Sequence, residues 1–89
     1  MKIWVVAEHS FEWFTVRYLC LSKETALERW KEIRDEMIEE MLDMIEYERK
    51  NNFSGGHWYE NLRDLQIMHQ GDSLDYCDYP YIREWEVEP

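Results

Sequence analysis

Residues 22–50, SKETALERWKEIRDEMIEEMLDMIEYERK, decide the fold of this chain. Turning 100° per residue from Trp30 brings Ala26, Ile33, Met37, Met41 and Met44 within about 60° of it, a core stripe at helical period. Leu27, Ile38 and Ile45 widen the stripe on one side, which suits a helix lying across a sheet better than a coiled-coil seam. Leu42 and Tyr47 sit at its margins. Strong helix formers fill the stretch, no Gly or Pro interrupts it, and Ser22 is a preferred N-cap residue. Thr25 replaces the Glu that would complete a capping box. Glu24 suits the positive end of the helix dipole and Arg49 and Lys50 the negative end, after which Asn51-Asn52 and Gly55-Gly56 stop the helix.

The opposite face carries Glu28, Glu32, Asp35, Glu39, Asp43 and Glu46 at spacings of four, three, four, four and three. At 1.5 Å rise per residue they form a ridge roughly 27 Å long, with neighbouring carboxylates about 5–6 Å apart. Glu36 and Glu40 thicken it. The like-charge pairs Glu28/Glu32, Glu32/Glu36, Glu36/Glu40 and Asp35/Glu39 each cost about 0.2–0.5 kcal/mol, so local helix stability did not select them. Two explanations compete. A solvated helix face is commonly charged, and Arg29, Lys31, Arg34 and Arg49 interrupt the field here. Alternatively, a stiff line of carboxylates resembles a nucleic-acid backbone to a basic groove.

The chain has 89 residues, enough for one domain with a modest core and two layers. A hydrophobic content of 45% and an aromatic content of 16% exclude a disordered chain. Acidic residues number 20 against 10 basic, and the net charge of −10 argues against direct binding to nucleic acid or an anionic membrane and favours a basic partner. No apolar run reaches the length of a membrane span, and the short run from Ile3 to Ala7 lacks the features of a signal peptide, so a cytoplasmic protein is expected. Cys20 and Cys77 are too few for a disulfide framework or a zinc site and are read as free thiols.

In chain order, residues 2–8, KIWVVAE, form a near-continuous apolar run expected to be a strand central in its sheet or covered on both faces. His9-Ser10-Phe11 carries a turn. In residues 12–21, EWFTVRYLCL, the set Phe14, Val16, Tyr18 and Cys20 alternates with Thr15, Arg17, Leu19 and Leu21, predicting a second, antiparallel strand. Trp58, Leu62, Leu65 and Met68 place a second, shorter helix over residues 57–69, ended by Gly71-Asp72-Ser73. Residues 74–79 are a loop or a short edge strand. Residues 81–88, YIREWEVE, alternate Tyr81, Arg83, Trp85 and Val87 against Ile82, Glu84, Glu86 and Glu88, giving a third strand with one apolar and one acidic face.

The expected fold is α+β, in the order β-β-α-α-β: a three-stranded antiparallel sheet with the first strand central and the long helix across one face. The other face then needs the short helix, residues 74–79 or another subunit to cover it, and a homodimer is one solution.

A strand opening with Lys2 directly after Met1, a helix start reading Ser22, Lys23, Glu24, x, Ala26, and a last strand carrying Ile82, Glu84, Glu86 and Val87 resemble the small uncharacterised β-β-α-β proteins frequent in bacteriophage genomes. The resemblance covers the two ends of the chain and not residues 47–79. It implies a phage or mobile-element origin and carries no catalytic residues across.

His9, His57 and His69, with Cys20 and Cys77, show no metal-ligand spacing, so no metal is expected. No phosphate loop, nucleotide fingerprint or nucleophile motif is present, and carboxylates on a solvated helix face are not tuned for acid–base work; no enzyme and no cofactor are expected. Phe11, Trp13, Trp58, Tyr59, Tyr76, Tyr79 and Tyr81 exceed what so small a core need bury, and Trp and Tyr are enriched at binding hot spots; either most of them complete a shallow core whose sheet has few large aliphatics, or Trp13 or the pair Trp58-Tyr59 forms an anchor beside the acidic ridge. The sequence therefore points to a non-enzymatic interaction protein that blocks a basic nucleic-acid-binding surface of a host protein. Glu28, Glu32, Asp35, Glu39, Asp43 and Glu46 would supply charge, and Trp58 and Tyr59 buried contact. The rival readings are an assembly protein forming a homo-oligomer through its sheet and a small-ligand module with an aromatic pocket.

Overall fold

The computed structural model describes residues 1–10, 13–51, 58–74 and 78–88. Phe11, Asn52, Gly55, Gly56, His57, Tyr76 and Cys77, which carried turn, stop, ligand or aromatic expectations, lie outside the described residues.

The elements follow the expected order: β1 (Lys2–His9), β2 (Phe14–Cys20), α1 (Lys23–Lys50), α2 (Trp58–Ile67) and β3 (Tyr79–Glu86). The strands form an antiparallel sheet in the order β2-β1-β3, so the apolar β1 is central, as its composition requires. β3 begins at Tyr79, opposite His9, and the two rings stack at 4.7 Å. Pro80 is tolerated within it because β3 is an edge strand.

Ser22 caps α1 as its residue type predicts: its Oγ accepts from the Thr25 backbone N–H at 3.1 Å and donates to Thr25 Oγ1 at 2.8 Å. At the other end, the backbone N–H and Nδ2 of Asn51 both donate to the Tyr47 carbonyl, at 3.1 and 2.9 Å. The first half of α1 lies on the sheet. Ala26, Trp30, Ile33 and Met37 are buried there with Val6 and Cys20, and Leu65 and Met68 join them from the α2 side. Trp30 Nε1 donates to the Pro80 carbonyl at 2.9 Å, tying helix to edge strand inside the core.

Met44, placed in the core stripe by its period, is instead 44% exposed. The cause is length: α1 has 28 residues and spans roughly 42 Å, against roughly 26 Å for the eight residues of β1. The helix outruns the sheet, and the molecule measures 56 × 23 × 18 Å. α2 packs against α1, starting beside Glu48 and bringing Leu65 back to the core. It ends at Ile67, short of the expected His69; beyond it the His69 N–H donates to Asp72 Oδ2 at 2.7 Å, and Gly71 supplies the positive φ of 101° that the turn needs.

The strict alternation expected in β2 is also corrected. Val6 pairs with Tyr18 but Ala7 pairs with Val16, so Arg17 is an extra residue in a β-bulge. Residues before and after the bulge therefore count to opposite faces. Tyr18 and Cys20 join Trp4 and Val6 under α1, whereas Phe14 and Val16 lie with Leu19 on the other face. β3 keeps its alternation: Ile82 and Glu84 oppose Val6 and Trp4 on the helix side, and Tyr81, Arg83 and Trp85 oppose Ala7, Val5 and Ile3 on the other.

Candidate interaction surface

All of Glu28, Glu32, Asp35, Glu39, Asp43 and Glu46 are exposed along the side of α1 that faces away from the core. The same periodicity that buries Trp30 and Ile33 forces this arrangement, because residues half a helical turn from the core stripe have nowhere to go but solvent. The ridge is partly neutralised within the chain. Arg29 Nη1 meets Glu32 Oε2 at 2.9 Å, Arg34 meets Asp35 at 3.5 Å, and Lys50 Nζ meets Glu46 at 3.2 Å. Such exposed pairs contribute little stability. No ion pair to Glu28, Glu39 or Asp43 occurs among the described residues. The centre of α1 is thus where its negative field is least compensated.

Glu36, on the flank of the ridge, is engaged differently. Arg17, turned toward the helix layer by the bulge, donates to Glu36 Oε2 at 3.1 Å and to Glu8 Oε1 at 2.6 Å. Its guanidinium is held above its ordinary pKa, chiefly by the hydrogen bond to Glu36, with the charge of Glu8 adding and burial opposing. The bulge thereby links both layers through one cation. Arg29 lies over the Tyr18 ring at 4.8 Å, and its pKa is likewise raised, first by its hydrogen bond to Glu32.

Trp58 and Tyr59 are not brought to the ridge as a pair. Trp58 is half-buried, and its Nε1 donates to Glu48 Oε1. Glu48 lies at the angular position of Trp30, on the underside of α1, about half a turn round from Glu39. Trp58 there lines a cavity of about 410 Å³ with Arg17, Met37, Met41 and Met44. Its role in the fold is to fasten α2 beneath the projecting part of α1. Tyr59 is 69% exposed on α2. The apolar side chains that flank the ridge are Leu42 and Tyr47, both exposed. Sequence reasoning placed them at the margins of the core stripe, and only the overhang of α1 turns them into contact surface.

Cys20 is a buried free thiol, and among the described residues no group of three or more His, Cys, Asp or Glu is placed to hold a metal ion. No described helix is long and apolar enough to cross a membrane. No protein-family model, curated protein or solved structure matches the chain.

Proposed function

We propose that this chain is a non-enzymatic acidic interaction protein, phage-encoded, that occupies a basic nucleic-acid-binding surface of a host protein. The observation that carries the reading is the centre of α1, where Glu39 and Asp43 stand one turn apart, exposed and with no ion pair to a cation among the described residues. A row of carboxylates on a rigid helix steers a basic partner and keeps the wrong partners off. Leu42, lodged between Glu39 and Glu46 on the helix surface, and Tyr47 on the other flank supply apolar contact within the same footprint. Trp58 is occupied by Glu48 and serves the partner only through the placement of α2, leaving Tyr59 as the exposed member of the Trp58-Tyr59 pair.

The test compares the native protein with a variant carrying E32K, D35K, E39K and D43K as affinity baits in host lysate. A nucleic-acid-binding protein held by the native form alone, and released between low and moderate salt, supports the reading. Identical retention by both baits rejects it.

A further inference from the structure

Among the described residues no helix packs on the second face of the sheet, the one remote from α1. α2 packs on α1, within the helix layer, and the turn of residues 71–73 reaches the rim of the remote face, where it lines a pocket with His9, Phe14, Tyr81 and Arg83. There Phe14, Val16, Leu19 and Trp85 are exposed, Phe14 to 61% and Leu19 to 68%, around Val5 and Ala7, which their neighbours bury. We propose that this face is a self-association surface, on which a second copy of the chain stacks sheet to sheet.

Charge selects the occupant. The chain holds 20 Asp and Glu among 89 residues, yet among the described strand residues none lies on this face; its only fixed charge is Arg83, opposite Val5. Two copies of net charge −10 repel along most approaches. Face-to-face stacking puts about 10 Å between the sheets and leaves each acidic ridge on the far side of its own helix layer, so the ridges lie several Debye lengths apart. Among the described strand residues this face carries no carboxylate, and Asp72, from the turn after α2, lies at its rim in a pocket shared with Arg83, so an acidic chain meets its own copy here across apolar side chains with little opposing charge.

The area agrees. Large side chains offer about 150–250 Å² each when fully exposed, so the observed exposures, with smaller contributions from Ile3 and Tyr81, leave roughly 600 Å² to bury per copy. A pair would bury about 1,200 Å², the lower bound for specific interfaces, which predicts a reversible dimer. A two-fold axis parallel to β1 would set Leu19 of one copy against the aliphatic stem of Arg83 of the other and keep the two guanidinium groups apart.

Sedimentation equilibrium over a concentration series tests this. The native chain is expected at twice its 11.1 kDa mass at the upper concentrations and to dissociate on dilution. Leu19→Lys, at a position too exposed to disturb the core, should raise the dissociation constant at least about tenfold with an unchanged far-UV circular dichroism spectrum. Val16→Lys should do the same and serves if the first variant does not fold. E39K with D43K should leave the dimer in place, which separates this surface from the ridge. A native chain that stays monomeric into the hundred-micromolar range overturns the proposal and leaves the face to a different protein or to none. A dimer that survives both lysine substitutions overturns it equally, since association then uses another surface.

Discussion

The two halves of α1 have the same pattern of apolar residues and opposite fates. In the first half, Ile33 is fully buried in the core cluster that also holds Val6 and Leu65; in the second, Met44 repeats nearly the same angular position with almost half its surface in water. Periodicity states which way a side chain points. It does not state whether a second layer lies there to receive it, and in this chain the receiving layer ends before the helix does.

Substitutions can break or sharpen that contrast, with urea unfolding as the common measurement. The largest effect belongs to Ile33→Ala, expected to cost about 3 kcal/mol because the surrounding side chains cannot collapse fully into the space. Trp30→Phe keeps most of the ring but leaves the Pro80 carbonyl without its donor, a loss of about 1–2 kcal/mol. Ser22→Ala removes the cap that starts the packed half and should lower stability by about 1 kcal/mol. Met44→Ala, in the overhanging half, should change stability by less than about 0.5 kcal/mol. If Met44→Ala were to cost as much as Ile33→Ala, the overhang would be covered in solution and the contrast between the halves would fail.

Much of the architecture was legible. The β1 composition predicted a central strand, Ser22 marked the helix start, and the alternation of Tyr81, Arg83 and Trp85 identified β3. What escaped depends on lengths and contacts between distant elements. The exposure of Met44 follows from comparing a helix of 28 residues with strands of eight or fewer, a comparison that no local window makes. The attachment of Trp58 to Glu48 joins two helices across a connection whose path the residue pattern does not specify. For the candidate site, the line of carboxylates was visible in full, because spacing alone defines it. Which of them are neutralised was less visible, since Arg17 reaches Glu36 from a strand.

Arg17 also shifts the count along the hairpin. Even-numbered residues of β2 face outside before the bulge and the helix after it, because Arg17 is an extra position that takes no place in the alternation of its neighbours. Loss of that one residue would be a local edit: Val16 and Tyr18 would become direct neighbours in a regular ladder, with Phe14, Val16 and Leu19 still outside and Tyr18 and Cys20 still under α1. What would go is the clasp, the single guanidinium that holds Glu8 of the sheet and Glu36 of the helix together. The bulge is an outgrowth that grips the helix without disturbing the strand that carries it.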